Sequence, residues 1–543
     1  MDEHSSSSWS VFRRLGSRFA SSDARPMKHP LLLRMVILVS ICAVVRASGV
    51  SATAGSRLSP AGQASVPGAP AEMIEVMPRS PERPFPHFWE QMFGSGRAIL
   101  TLRGSYRQDL RAVKGATGFE YVRFHAIFHD EVGVYDETAD GRPLYNFSYV
   151  DQIYDGLLEN QVRPFVELSF MPGKLAAAQT LHAFWYRPIV SPPADFARWG
   201  DLITRFGQHL IERYGIDEVS QWYFEVWNEP NIDFWTGQPK ETTYYQLYDT
   251  AAAALKRVDE RLRVGGPATA QAAWIDRFIQ HTVDGRIPLD FVSTHVYGND
   301  SAKDVFGSDE PISRLSMVGR AVRHVHDQVR SSPRPDLPII WSEYNASYKT
   351  EPDVTDAPFM GPWIADTIRQ CDGLVAMMSY WTFSDVFEEQ GVVKQPFYGG
   401  YGLIAEGGVP KPAFNAFKLL HRLGDRRLDV DSTSALVTRR RDGSLVIAVW
   451  NLALPDEPGT SKEVVIHVSG SGRRRASISR VDATHGSPLA AYEAMGRPLF
   501  PTQDQLRHLR QAAELPNPET KTLDHERVAL SLPAHGLALI EIP

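Results

Sequence analysis

From about residue 97 onward the chain repeats one pattern: a short apolar run, then a longer segment with apolar residues at helical spacing. The runs are "AILTLRG" from Ala98, "YVRFHAIF" from Tyr121, "RPFVELSF" from Arg163 and "WYFEVWNE" from Trp222. Then come "RVGGPATA" from Arg263, "LDFVSTHVYG" from Leu289, "PIIWSEYNAS" from Pro338 and "VAMMSYWTFSD" from Val375. Between them lie segments such as "FARWGDLITRFGQHLIERYG" and "TTYYQLYDTAAAALKRVDERL", amphipathic over several turns and ending near Gly or basic residues. Eight such units predict an α/β chain folded as a (β/α)8 TIM barrel, whose functional groups belong at the carboxyl ends of its strands. A doubly wound open sheet would show the same alternation, but no Gly-rich phosphate loop follows the first run.

After "KPAFNAFKLLHRLG" the pattern changes to alternating strands with turn signals such as Asp442-Gly443. An antiparallel β-sandwich over 424–543 is expected behind a barrel over 75–423, with "PFPHFWEQMFGSGR" able to contribute to the sandwich or its packing. "PTQDQLRHLRQAAELPNPET" interrupts the strands as a helix or long loop. At the other end, "MVILVSICAVV" follows Lys28 and Arg34 and precedes the small-x-small pattern "ATA". That apolar core is well short of the ~20 residues a membrane span needs, so residues 1–54 read as an export leader and 55–74 as a flexible lead-in. Translation from Met27 and an uncleaved anchor are the alternatives.

Composition narrows the function classes. A formal charge of −7 with 22% charged residues gives no electrostatic case for nucleic acid. The 12 Trp, 19 Tyr and 26 Phe suit either an aromatic core or sugar-binding surfaces. Of two cysteines, Cys42 falls in the leader, which leaves Cys371 unpaired and rules out a disulfide framework or a cysteine metal site. No metal ligand cluster with zinc spacing is present, and His129, Asp130 and Glu131 read as loop residues.

Two carboxylates end two strands in the same manner: Glu229 follows "EVWN" on the fourth, and Glu343, 114 residues later, follows "IIWS" on the seventh. Strands four and seven lie across the mouth of an eight-stranded barrel, so two inward side chains can face each other over a ligand. Glycosidic bond cleavage requires that pairing: one carboxyl to protonate the leaving oxygen, one carboxylate on the other face of the sugar ring. Either glutamate alone reads equally well as a salt-bridged barrel residue.

"FHAIFHDEVGVY", "FVELSFMP", "FEVWNEPNIDFW", "STHVYG", "WSEYNASY", "MSYWTFSDVFEEQG" and "PFYGGYGLIAEGGVPKPAFNAFKLLHRLG" together resemble glycoside hydrolase family 39, known for β-xylosidases and α-L-iduronidases. The resemblance runs from Glu75 to the C-terminus and is firmest in the barrel. It implies a retaining exo-glycosidase, foremost a β-xylosidase acting on xylo-oligosaccharides, without a cofactor or metal. Position by position it makes Glu229 the acid/base and Glu343 the nucleophile, with Asn228 on the sugar 2-hydroxyl, His125 as a sugar contact and Trp381 as a stacking platform. Glu388 and Glu389 would reach sugar hydroxyls from the eighth loop, or else form an exposed charge pair. Arg123 and Tyr297, with His295 nearby, are the candidate donors to the nucleophile, although Arg123 can instead pair with Glu167. Trp235 is a possible second aromatic surface. Other activities of the family (β-galactosidase, α-L-arabinopyranosidase, α-L-iduronidase, exopolysaccharide endo-hydrolase) stay open, as does a non-catalytic glycan-binding barrel. The implied partner is an oligosaccharide, not nucleic acid or, after leader cleavage, a membrane.

Overall fold

The computed structural model describes residues 70–543. The expected leader over 1–54, with Cys42, and most of the lead-in lie outside the described residues. Among those described, no helix is long and apolar enough to cross a membrane.

Eight parallel strands close into a barrel: β1 (Met92–Gly94), β2 (Tyr121–Phe124), β3 (Arg163–Leu168), β4 (Tyr223–Val226), β5 (Arg263–Thr269), β6 (Phe291–His295), β7 (Ile339–Tyr344) and β8 (Met377–Tyr380). Each pairs with the next in sequence, and β8 returns to β1 through Ser379–Met92 and Tyr380–Phe93. The first predicted strand is displaced: Ala98–Leu102 is a 3-10 helix, and Met92–Gly94 is β1. The reason is a close approach. A Cβ at Gly94 would lie 2.1 Å from Trp381 Cε3. β1 is therefore a three-residue, glycine-ended piece, too short to register as an apolar run.

Side chains alternate across each strand. Met92, Tyr121, Phe165, Phe291, Ile340 and Met377, with Tyr223 against them, fill the lower barrel as one cluster. Two residues further along their strands stand Arg123, Glu167, Glu225, Ser293, Ser342 and Ser379, all buried. The outward positions, among them Val122, Val166, Phe224, Val292, Trp341 and Met378, belong to the large apolar cluster shared with the helices. Burial on both faces is why the strands read as continuous apolar runs. The barrel is thus plugged with aromatic and aliphatic groups below and polar above.

The sandwich has a seven-stranded sheet in the order 82–84, 426–428, 435–439, 445–450, 537–542, 475–481, 519–522, and a three-stranded sheet of 72–76, 462–468 and 527–532. In Leu445–Trp450, Leu445, Ile447 and Val449 join the cluster shared with the smaller sheet. Val446, Ala448 and Trp450 join the barrel cluster instead. The large sheet is therefore a middle layer, with helices Met360–Cys371 and Pro412–Leu420 against its far face. The expected boundary at residue 75 needs correction. Glu72–Val76 pairs in parallel with Lys462–Val468, and Glu82–Pro84 pairs antiparallel with Arg426–Leu428. From residue 72 the described chain runs through the sandwich, builds the barrel and returns; these two short strands have partners hundreds of residues away that no local pattern announces. The interrupting segment is in part a helix, Gln503–Ala512, started by a capping box of Thr502 and Gln505.

Candidate active site

At the carboxyl ends of the strands a cavity of about 360 Å³ opens, lined by His125, Asn228, Glu229, His295, Tyr297, Glu343, Trp381 and Glu389 together with residues the sequence did not single out. Two departures from regular strand geometry aim its carboxylates. Alternation would send Asn228 and Glu229 to opposite faces, but β4 ends at Val226 and the next turn has left-handed residues at Trp227 (φ 71°) and Glu229 (φ 44°). The Glu229 N–H donates to Ala268 O at 2.8 Å, which fixes the turn against the end of β5. On β7 a bulge does the same work: Thr294 pairs with Trp341, but His295 pairs with Glu343. The extra residue lets Ser342 meet His295 Nε2 at 3.1 Å while Glu343, its neighbour, reaches the cavity.

Both oxygens of Glu343 are held by donors. Arg123 Nη1 donates to Oε1 at 2.6 Å, and the Tyr297 hydroxyl donates to Oε2 at 2.6 Å. Bonds from a guanidinium to a carboxylate are charge-assisted and among the stronger ones. Arg123 also donates to Glu225 at 2.6 Å and Asn228 at 2.9 Å, and lies 2.7 Å from Glu167. The two roles considered for Arg123 thus coexist. Glu229 has a different environment: its oxygen partner is His295 Nδ1 at 3.0 Å. Burial pushes the Glu229 carboxyl well up from the ordinary range, and the charges of Glu343 and Asp300 add to it. Burial, then Arg123 and His125, push His295 well down, so its imidazole is neutral. A carboxylate oxygen of Glu229 and one of Glu343 lie within 4.8 Å of each other.

The opposite wall is built from His125, Trp381 and Glu389. Burial depresses His125, but Glu167 at 2.7 Å outweighs it and leaves the imidazole raised. Glu389 Oε1, 3.6 Å from His125 Nε2, has no hydrogen-bond partner, and burial pushes this carboxyl up to about 8. The Arg123 guanidinium lies 5.8 Å from the centre of the Trp381 ring. Glu388, expected to reach sugar hydroxyls, does not line the cavity. It is buried between Arg97 at 3.0 Å and Arg103 at 2.6 Å. Sequence adjacency could not separate it from Glu389, whose side chain takes the other direction. Trp235 is also displaced from its expected place: it is fully buried with Nε1 donating to Thr243 at 3.0 Å, and Phe234 lines the cavity instead.

Missing from the sequence reading were Gln271, Asp300, Tyr348, Tyr401, His182 and Phe184. Asp300, three residues beyond Tyr297, carried a faint signal in its place after a strand exit; the small-residue run around Gln271 carried none. Among the described residues, two His–carboxylate groups are compact enough to ligate an ion: Glu229, His295 and Glu343 here, and His87, Glu90 and His421. In both, the imidazoles already hydrogen-bond to a carboxylate.

Comparison with known proteins places this geometry among sugar-cleaving enzymes. The model of "Glycosyl hydrolases family 39" matches residues 72–526. A β-xylosidase of Geobacillus stearothermophilus is 38% identical over 490 residues, 86% of this chain and 94% of that protein. The crystal structure of a monomeric β-xylosidase from Caulobacter crescentus CB15 superposes with a TM-score of 0.80 at 33% identity, covering 87% of this chain and 99% of the other. An α-L-iduronidase of Mus musculus is more distant, 27% identical over 460 residues, 74% of this chain and 69% of that protein.

Proposed function

This chain belongs to glycosyl hydrolases family 39, and we propose that it works as a retaining, exo-acting β-xylosidase with Glu229 as acid/base and Glu343 as nucleophile. The observation that carries the reading is the short gap between the two carboxylates, with oxygens within 4.8 Å. Retaining enzymes hold their carboxyl groups about 5–5.5 Å apart, and inverting ones leave room for a water between them.

In the first step Glu343 attacks the anomeric carbon while Glu229 gives its proton to the glycosidic oxygen, and the C–O bond to the leaving sugar breaks. Arg123 and Tyr297 hold and orient the attacking carboxylate. Ester formation removes the charge of Glu343, one of the causes that raise Glu229, so the Glu229 carboxyl becomes more acidic. In the second step Glu229, now a carboxylate, takes a proton from water as the water oxygen attacks the anomeric carbon and releases Glu343. His295, neutral and bonded to Glu229, orients it without fixing its charge. Asn228, steadied by Arg123, is placed for the sugar 2-hydroxyl, a bond that strengthens as charge develops at the anomeric centre. Trp381 offers a ring face, and the Glu389 carboxyl, which lines the cavity, takes a hydroxyl.

A neutral sugar fits this lining better than a uronide. No Lys or Arg lines the cavity among the described residues, whereas Glu229, Glu343, Glu389 and Asp300 do. Glu343 would repel a substrate carboxylate, and no Lys or Arg of the lining would pair with it. Cleavage of a panel of 4-nitrophenyl glycosides, with proton NMR of the first sugar formed from the xyloside, tests the reading. The β-xyloside should be the fastest and β-xylose should appear first. A faster iduronide would overturn the substrate, and α-xylose as the first product would overturn the double displacement. The leader-like sequence at 35–54 supports export. Fractionation of cells expressing the full chain, followed by N-terminal sequencing of the mature protein, tests export.

A further inference from the structure

The line joining Glu229 on β4 to Glu343 on β7 divides the mouth of the barrel. The glycone contacts lie on one side: His125 after β2, and Trp381 and Glu389 after β8. On the other side, only β5 and β6 intervene, and their exits carry Gln271 and Asp300 into the same cavity. A glycosidic bond placed between the two carboxylates has its glycone on the first side, so its leaving group faces the second.

That second side is built. Asn231, the last residue of "WNEPN", donates from Nδ2 to Ala270 O at 3.0 Å and accepts from Ala270 N at 2.9 Å. One amide thus clamps both backbone polar groups of Ala270, the residue before Gln271, tying the loop after β5 to the turn that holds Glu229. Gln271, Ala272 and Trp274 are all left-handed, at φ 59°, 54° and 67°. Strained backbone held by flanking contacts is a recurrent feature of ligand clamps. Asp300 accepts the Tyr297 N–H at 2.7 Å and forms no ion pair among the described residues. The Asp300 side chain lines the cavity, partly exposed, with the Gln271 side chain bonded to it. Carboxylate and amide acceptors in this position suit the hydroxyls of a second neutral sugar.

We propose that Gln271 and Asp300 form the subsite for the leaving xylosyl unit, making the enzyme selective for xylo-oligosaccharides over xylosides with apolar aglycones. Asn231 acts as a positioning residue for that wall. The inference rests on the β-xylosidase reading, and its test separates the two. Full-length wild type, Asp300→Asn, Gln271→Ala and the double variant are compared on xylobiose and on 4-nitrophenyl β-xyloside. Loss of a hydrogen bond to a charged acceptor predicts a fall in kcat/KM on xylobiose of about tenfold or more for Asp300→Asn. The fall on the nitrophenyl substrate should be at least about fivefold smaller, because the nitrophenyl group has no hydroxyl to lose. Retained aryl-xyloside turnover reports that each variant is folded. Equal losses on both substrates, or no loss on xylobiose, would overturn the subsite and leave the β-xylosidase standing. A wild type inert towards both substrates would overturn both proposals.

Discussion

Two buried ion clusters stand within the same barrel and serve different ends. Behind the eighth loop, Lys411 Nζ lies 2.7 Å from Asp356 and 2.6 Å from Asp385, and donates to Gly400 O at 2.9 Å. The aspartates also accept backbone N–H groups of Gly399 and Gly402, each at 2.7 Å. At the mouth, Arg123 holds Glu343, Glu225 and Glu167. Both clusters put more carboxylates than cations out of water. The first closes on backbone and pins the loop that carries Tyr401, whereas the second opens on a cavity and faces Glu229, a carboxyl with no cation of its own. Buried charge alone therefore does not mark a catalytic site. A carboxyl without a cation next to one that has a guanidinium partner, both reaching a cavity, does.

The largest effect that can break this comparison is at Glu343. Glu343→Gly should lower kcat on xylosides by about four decades or more, and azide, attacking from the α face in place of the missing carboxylate, should partly restore turnover with α-xylosyl azide as the product. Near-normal turnover would remove Glu343 from the chemistry. Glu229→Gln comes next, with a loss of about 10²–10⁴ on xylobiose and a much smaller one on a dinitrophenyl xyloside, whose leaving group needs no proton. A uniform loss across leaving groups would argue against an acid role.

At the other cluster, Lys411→Met leaves two aspartates buried without their cation, which predicts a stability loss of about 3–5 kcal/mol. The urea midpoint reads it, and an unchanged midpoint would show that the Lys411 cluster is not an anchor. The smallest effect concerns pH. Glu229 donates only when protonated, so kcat/KM should fall as pH rises through its raised value. Asp300 is among the charges that raise it, so Asp300→Asn should move that alkaline limb to lower pH by less than about one pH unit. A limb that moved upward would contradict the assigned sign.

The eight-unit alternation and the Glu229 and Glu343 positions were legible because they are local. A strand buried on both faces must be apolar throughout, and a polar residue at its exit stands out against that run. β1 was not legible, since Gly94 yields its side-chain space to Trp381 and leaves only three residues of strand. Nor was the sandwich's claim on residues 72–84, which depends on partners far along the chain. Glu388 and Glu389 are neighbours in sequence, yet Arg97 and Arg103 bury one while the other meets the cavity.

By itself the sequence determined the barrel, its sandwich, and which strand ends bear carboxylates, because hydrophobic periodicity and residue type act within a few positions. Only the tertiary structure decided which side chains converge. The bulge on β7 and the left-handed turn after β4 turn Glu343 and Glu229 towards each other, and Arg123 gives one of them a cation that the other lacks. Direction and electrostatic environment are set by neighbours distant in the chain, so they appear only once the barrel has closed.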